Sequence, residues 1–456
     1  YVANSIMPSM RHLRLLVVTL QLSLGSSLFL PTPRQQQRRL SVSQATNRND
    51  QAAEVMSRRK AVFEAPLAAA AALAVLAAGN PKIALAAEEK GSKSPPPVYS
   101  PAPGSLAGRV VLITGANTGL GLESAKRLYA SGATVVVTAR TQAKADAAVD
   151  AVKLFAAVGA GASPSLSSPV SLPNKVVGVE LDLANLESVK ALPTRLTAAL
   201  GKSSSSSAPQ ALPFVDVLLN NAGVMAIPER LDTSDGFERT VGVNHLGHFA
   251  LFGALLPFLE RAPHGFRVVT VSSEGHKIVT PQGMADALDA RLDPTTLSKY
   301  KYNPWGAYGV SKAANVLFTV ELDRRLKEKA SANGFLGGSA VTLHPGAVQT
   351  DLPRYIVGGK SAGDTRMSET AASAPNGFLK KALDSVVLTV EKGANTQVYL
   401  SAAADLEPND PLGKTPAALY FDNMKPGRPN KAATDPELAK RLWDLSEELT
   451  GVKIDL

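Results

Sequence analysis

Thr114-Gly115-Ala116-Asn117-Thr118-Gly119-Leu120-Gly121 stands between an apolar run, Val110-Val111-Leu112-Ile113, and the stretch Leu122-Glu123-Ser124-Ala125-Lys126-Arg127-Leu128. The run reads as a buried strand and the stretch as the first turns of a helix. The glycines let the backbone turn sharply and approach a ligand closely. The peptide N–H groups at the helix start then point at an anion such as a pyrophosphate. Strand, glycine turn and helix in that order make a candidate nucleotide site, with Gly115, Asn117, Thr118, Gly119, Leu120 and Gly121 as candidate contacts and an ordinary Gly-rich turn as the alternative.

The pattern repeats outward from this turn. Apolar β-type runs fall at 110–113, 134–138, 176–181, 215–219, 267–271 and 340–343, with helical patterns at 120–130, 142–158, 186–200, 236–259 and 307–330 between them. Near-continuous apolar strands alternating with helices imply an α/β fold, a parallel sheet covered on both faces. Ligands in such sheets bind at the carboxyl ends of the strands, where the strand order reverses. Stretches 159–173 and 202–210, rich in Ser, Pro and Ala, read as surface insertions, and 358–376 as a lid or a plain loop.

The front of the chain has a different composition. Residues 1–60 carry nine Lys and Arg against Asp50 and Glu54, so they hold +7 of the formal +9. The basic balance belongs to this leader and argues against a nucleic-acid-binding face. An apolar run at 13–30 behind Arg11 and Arg14, with Met7 or Met10 as candidate starts, has the form of a secretory signal. Residues 34–57, rich in Arg, Gln, Ser and Ala, read as an organelle transit segment. Ser57-Arg58-Arg59-Lys60, an apolar stretch at 65–78 and Ala84-Leu85-Ala86 together resemble a twin-arginine export signal. The expected organisation is a leader over 1–87, a Pro-rich linker over 88–108 and one catalytic domain over 109–451. The absence of cysteine excludes disulfides, Cys-ligated zinc and thiol catalysis.

A second constellation is Tyr308-Gly309-Val310-Ser311-Lys312. Spacing i, i+4 places the phenol and the ammonium on one helix face. A phenol of pKa about 10 is a poor acid or base at neutral pH, and a neighbouring ammonium favours its ionised form. Tyr308 is then a candidate to exchange a proton with a carbonyl or alcohol. Ser272-Ser273 and Asn220-Asn221-Ala222-Gly223 end strands at the expected ligand edge, and Asn244 falls on a helical stretch. His245, His248 and His344 lack acidic partners at ligand spacing, so packing and hydrogen bonding are expected of them rather than metal binding.

From about residue 105 to 451 the chain resembles the short-chain dehydrogenase/reductase family. Thr114 to Gly121 matches its glycine motif and Asn220 to Gly223 its Asn-Asn-Ala-Gly. Asn244, Ser273, Tyr308 and Lys312 match its catalytic tetrad, and Pro345-Gly346 its later motif. The resemblance implies a Rossmann sheet of about seven strands in the order 3-2-1-4-5-6-7. It implies Tyr308 as acid/base, Lys312 on the nicotinamide ribose, Ser273 (with Ser272 as the alternative) on the substrate oxygen, and Asn244 holding a relay water. Asp182 would meet the adenine, or else cap the helix from Leu186. Asn221, Ala222, Gly223, Pro345, Gly346 and Thr350 would line the rest of the cofactor site. Asn244-His245-Leu246-Gly247-His248-Phe249, His344-Pro345-Gly346-Ala347-Val348-Gln349-Thr350 and Arg441-Leu442-Trp443-Asp444-Leu445-Ser446-Glu447 resemble the retinol-dehydrogenase-like branch and its WW-domain oxidoreductase relatives. Protochlorophyllide reductases are similar too, but they use a cysteine that this chain lacks.

Thr138-Ala139-Arg140 offers no acid for a ribose 2′-OH and one guanidinium for a 2′-phosphate, so NADP(H) is the expected cofactor. Met225, Tyr300, Tyr302 and Trp305 are candidates to line an apolar pocket for a retinoid, carotenoid-derived, steroid-like or fatty aldehyde; plain packing is the alternative. Two other functions stay open, a pigment reductase and a non-catalytic NADP(H)-binding sensor or assembly protein. Membrane association and homo-oligomer formation are open as well. The leader resembles the presequences of algae with complex plastids, which implies the thylakoid lumen ahead of the stroma; an endoplasmic-reticulum anchor at 13–30 is the rival.

Overall fold

A computed structural model describes residues 97–159, 174–201, 213–293, 302–333, 337–348, 388–403 and 419–456. The leader, both Ser/Pro/Ala insertions apart from Gly159, the 358–376 stretch, Tyr300 and Thr350 lie outside the described residues. Strand β1 (Val110–Ile113) leads to helix α1 (Gly119–Ala130), β2 (Thr134–Ala139), α2 (Gln142–Gly159) and β3 (Val176–Glu180). Then come α3 (Leu186–Lys190), α4 (Leu192–Leu200), β4 (Val217–Asn220), α5 (Arg239–Val241), a π turn (Gly242–Leu246) and α6 (Gly247–Leu259). The remainder is β5 (Phe266–Val271), α7 (Pro281–Asp289), α8 (Pro304–Asn333), β6 (Gly338–His344), α9 (Val390–Gly393), α10 (Asn395–Ala402), β7 (Tyr420–Asp422), β8 (Lys425–Pro426) and α11 (Pro436–Thr450).

The strands form one sheet in the order β3-β2-β1-β4-β5-β6-β7-β8. Neighbours from β3 to β7 run parallel, and β8 pairs antiparallel with β7. The expected seven-strand order is met, and β8 adds a two-residue edge. Within β1, Leu112 enters one core layer with Phe249, Phe318 and Trp443, while Val111 and Ile113 enter the other with Ala125, Leu128 and Val398. Alternate side chains serve opposite faces, so a strand buried on both reads as unbroken hydrophobicity. The order reverses between β1 and β4, which brings the turn after β1 beside Asn221-Ala222-Gly223 after β4.

Two expected helices are interrupted. The 186–200 pattern breaks at Ala191 because Pro193 has no N–H to give the preceding turn and sits instead in the first turn of α4. The 236–259 pattern begins only at Arg239, where the Glu238 carboxylate accepts from the amides of Thr240 and Val241 (both 2.9 Å). The π turn then interrupts it. The run 239–259 is long and apolar enough to cross a membrane, but most of it is buried in the core of the domain. A helix covered on every side can be apolar all round.

The packed body extends past both expected boundaries, 109 and 451. Leu106 is buried, the Tyr99 and Tyr399 rings meet edge to face at 5.6 Å, and Ile454 joins the core. The Asn395 amide donates to Pro97 O (2.8 Å), and its Oδ1 accepts from Tyr99 N (2.9 Å). Buried Arg127, paired with Glu123 at 2.8 Å, donates to Tyr99 O and Asn395 Oδ1. The carboxyl end of the expected linker is thus a strap bound to the domain.

Candidate active site

The glycine turn is shaped by close approach. Gly115 and Gly119 have φ of +62° and +55°, which favour glycine. A Cβ on Gly121 would lie 2.6 Å from Gly115 O and 2.5 Å from Asn221 Nδ2. The Thr114 hydroxyl accepts from the amides of Asn221 and Ala222 (2.9 Å each) and lies 2.9 Å from His248 Nε2. His248 Nδ1 faces the Asn244 carbonyl at 3.0 Å and must donate to it, so Nε2 accepts the Thr114 proton. Asn221 Nδ2 donates to Thr114 O (2.8 Å). Buried Gln397 adds donations to Leu120 O (3.1 Å), Ser124 Oγ (2.7 Å) and Asn221 Oδ1 (3.3 Å). Thr118 is the extended N-cap residue of α1, so the first helical amides face outward over the turn. Asn117 and Leu120 are half-buried beside it.

Arg140 is exposed immediately after β2. Asp182 follows β3, where its Oδ1 accepts from Ala184 N (3.0 Å) and its own amide donates to Ser188 Oγ (3.1 Å). The cap of α3 is Asn185, which accepts from Glu187 N and Ser188 N, so the capping alternative for Asp182 falls away. Past β6, Gly346 has φ +83° and donates its N–H to His344 Nδ1 (3.1 Å), with Pro345 half-buried before it.

Tyr308 and Lys312 sit near the start of α8, 4% exposed each, below the carboxyl end of β5. Lys312 Nζ donates to Val271 O (3.0 Å), shared with Asn315 Nδ2 (3.1 Å), and lies 5.8 Å from the centre of the Tyr308 ring. Burial pushes Tyr308 up to about 12, with a hydrogen bond to Ser273 pulling the other way, and brings Lys312 down to about 8. The expected lowering of the phenol by Lys312 is therefore not seen: desolvation dominates, and the ammonium is engaged by Val271. A phenol raised this far is a neutral proton donor at pH 7.

Ser273 is the serine beside Tyr308, its Oγ accepting from Gly275 N (3.1 Å). The Ser272 hydroxyl is spent on Lys312 O (2.7 Å). Asn244 is fully buried on the π turn. Its Oδ1 accepts from Val224 N (2.8 Å), and its Nδ2 donates to Val224 O (2.9 Å) and Ser311 Oγ (3.0 Å). Its side chain therefore ties the strand-end loop to α8. A Cβ on Gly223 would lie 3.2 Å from Asn244 Oδ1 and 3.6 Å from Lys312 Nζ, so this loop passes directly over the pair. Trp305 meets the Tyr308 ring edge to face at 6.3 Å. Tyr302 instead donates to Glu238 Oε1 (2.8 Å) and braces α5, and Met225 is half-buried.

His245 and His248 are buried, held by burial down to about 3 and about 4, and therefore neutral. His245 Nε2 meets Ser446 Oγ at 2.8 Å. His344 does gain acidic neighbours, Asp422 (3.1 Å) and Glu274 (3.3 Å), from elements remote in sequence. Among the described residues no group of three or more His, Asp or Glu side chains is arranged to hold a metal ion. Sequence reasoning missed Gln397, Ser311 and Asn315. Each acts through a partner far along the chain or through backbone, and no local signal marked them.

The sequence model of the family described as short chain dehydrogenase matches residues 109–163 and 166–285. Retinol dehydrogenase 14 of Mus musculus is 35% identical over 357 residues, covering 77% of this chain and 88% of that protein. Retinol dehydrogenase 13 of Homo sapiens is 33% identical over 356 residues, with coverages of 77% and 88%. A crystal structure of an uncharacterized protein from Mycobacterium paratuberculosis superimposes with a TM-score of 0.50 at 29% identity, covering 79% of this chain and 100% of that one.

Burial holds Lys312 near 8 against an ordinary 10.5, so the folded chain binds this proton less tightly than the unfolded chain does. The resulting cost to stability is complete below about pH 8 and fades as pH rises to about 10.5, where neither state keeps the proton. Lys312→Met should unfold at higher urea than the parent at pH 7, a gain on the order of 2 kcal/mol, shrinking between pH 8 and 10. A variant less stable than the parent at pH 7 would contradict the buried charge.

Proposed function

This chain belongs to the short-chain dehydrogenase family, in its retinol-dehydrogenase-like branch, and from that premise we propose that it is an NADP(H)-dependent oxidoreductase interconverting a carbonyl and an alcohol on an apolar small molecule. The observation that carries the reading is the grouping of Tyr308, Ser273 and Lys312 at the carboxyl end of β5, beside the glycine turn of β1.

The residues present fit a dinucleotide. Gly121 and Gly115 leave room for a close backbone approach, and the outward amides of α1 suit a pyrophosphate. Arg140 is exposed where a 2′-phosphate would lie, with no acid in Thr138-Ala139-Arg140 to favour NAD. When bound, NADPH supplies the hydride that the carbonyl carbon takes up. Tyr308 gives its phenolic proton to the carbonyl oxygen, which becomes the alcohol. Ser273, whose Oγ accepts from Gly275 N, keeps its own proton to donate to that same oxygen. Lys312 supplies positive charge near the Tyr308 ring and would hold the nicotinamide ribose. The reverse reaction needs the phenolate, so alcohol oxidation gains with rising pH. Trp305 beside Tyr308 suits an apolar substrate, and the relatives named above carry retinol in their names.

The leader composition supports a plastid destination in an alga with complex plastids, thylakoid lumen ahead of stroma. N-terminal sequencing of the native protein reads this directly. A mature end near Ala87 is expected, and an end that retains 13–30 would exclude the plastid route.

Tyr308→Phe in the full chain should lower kcat for NADPH-dependent carbonyl reduction by roughly two orders of magnitude, the scale of general acid/base catalysis, while NADPH binding persists. Turnover at the parent rate would remove Tyr308 from its role. Arg140→Ala should weaken NADP(H) binding and leave NAD(H) binding unchanged, measured by cofactor fluorescence titration. Unaltered NADP(H) affinity would refute the 2′-phosphate contact.

A further inference from the structure

The turn that carries Ser273 is held by a residue the proposed mechanism does not use. Ser273 is extended (φ −163°) and begins a 3₁₀ turn over Glu274–Ile278. Its carbonyl accepts twice from His276, from the backbone N–H (3.1 Å) and from the ring Nδ1. The other ring nitrogen, Nε2, lies 3.2 Å from the backbone N–H of Asn430. A carbonyl only accepts and a backbone amide only donates, so the partners fix the ring as neutral, with its proton on Nδ1. The ring is fully buried and packs 5.2 Å from Tyr420.

Asn430 completes the clamp. Its Nδ2 donates to His276 O (3.0 Å) in the middle of the turn and to Val279 O (2.6 Å) just past its end, and its Oδ1 accepts from Ala433 N (3.0 Å). The turn in question is the floor of the acid/base site. A Cβ on Gly275 would lie 2.9 Å from Tyr308 Cε1, and one on Gly309 would lie 2.6 Å from Ile278 Cγ1. At such distances a small rotation about Ser273 displaces its hydroxyl from the phenol.

We propose that His276, set by Asn430, is a positioning residue that fixes the Ser273 hydroxyl against Tyr308, so that its effect on the reaction passes through Ser273. This rests on the reading of Ser273 and Tyr308 as the pair that meets the reacting oxygen. His276→Asn keeps an N–H donor at the Nδ1 position, whereas His276→Gln presents its amide at the Nε2 position and leaves the Ser273 carbonyl without its ring donor.

The test is a double-mutant cycle in the full chain, with carbonyl reduction and NADPH affinity both measured. His276→Gln should lower kcat about tenfold, the scale of one displaced hydrogen bond in the transition state. His276→Asn should stay within about threefold of the parent. In a Ser273→Ala background His276→Gln should cost less than about twofold more, because the hydroxyl it positions is gone. NADPH affinity should not change in either variant. Losses that multiply in the double variant, unchanged kcat in His276→Gln, or a matching loss of NADPH affinity would each overturn the proposal. Should His276→Gln fail to fold, Asn430→Ala releases the same turn from the C-terminal side and enters the same cycle.

A second readout does not need turnover. With tyrosine labelled with ¹³C at Cζ, the Tyr308 resonance should move the same way in Ser273→Ala and His276→Gln and stay near its parent position in His276→Asn. A parent-like Tyr308 signal in His276→Gln would overturn the proposal. If the parent reduces no carbonyl while these shifts appear, the positioning stands and the functional reading fails.

Discussion

The Thr114 hydroxyl holds the site together. It sits where the sheet reverses its order, accepts from two amides after β4 and gives its proton to His248 on α6. Three elements meet in one buried oxygen, and each bond has only one allowed direction. Because His248 also donates to the Asn244 carbonyl, the glycine turn is coupled rigidly to the π turn. Asn244 then carries the constraint to Val224 and to Ser311 on the helix of Tyr308. Cofactor turn and acid/base helix are thus joined by a continuous buried hydrogen-bond path. Such a path is costly to leave half-satisfied, which gives the arrangement its precision.

Against that rigid frame the site keeps one group, Lys312, in a charge state that burial opposes. Lys312 holds its proton despite nearly complete burial, and Tyr308 holds its proton more firmly than a phenol in water. Both shifts come from desolvation, one lowering and one raising, and so they draw the two groups apart, each toward its neutral form. Stability is given up at Lys312, while in the neighbouring core Trp443 stacks on Phe318 and meets Phe249 edge to face.

What was legible in the sequence is what is local. The strand before Thr114, the glycines after it, and the Tyr308 to Lys312 spacing are short-range features whose geometry their own residues dictate. Apolar runs located β1 to β6 because burial on both faces leaves no alternation to misread. β7 escaped because three residues, Tyr420–Asp422, carry no period, and its place depends on β6. The π turn escaped because Gly242 to Leu246 fit an ordinary helical pattern. The break at Pro193 stood in the sequence, but the apolar spacing around it hid the boundary. Tyr302 read as a pocket residue because its partner, Glu238, lies 64 positions away. Tyr308 itself shows the limit for electrostatics: spacing located the ammonium near the ring, but only the fold reveals that Val271 engages it and that burial decides the sign.

The strap carries a consequence for the order of assembly. Asn395 holds Pro97 and Tyr99 across separations of 298 and 296 residues, so these bonds require the front of the domain and α10 at once. Contacts of such long sequence range form late, after the more local sheet pairings have restricted the chain. During synthesis the segment just ahead of the domain therefore stays undocked until α10 has emerged. Docking of Pro97–Tyr99 marks the arrival of α10, and it sets how near the folded body any processing enzyme can cut without removing bonds that the domain uses.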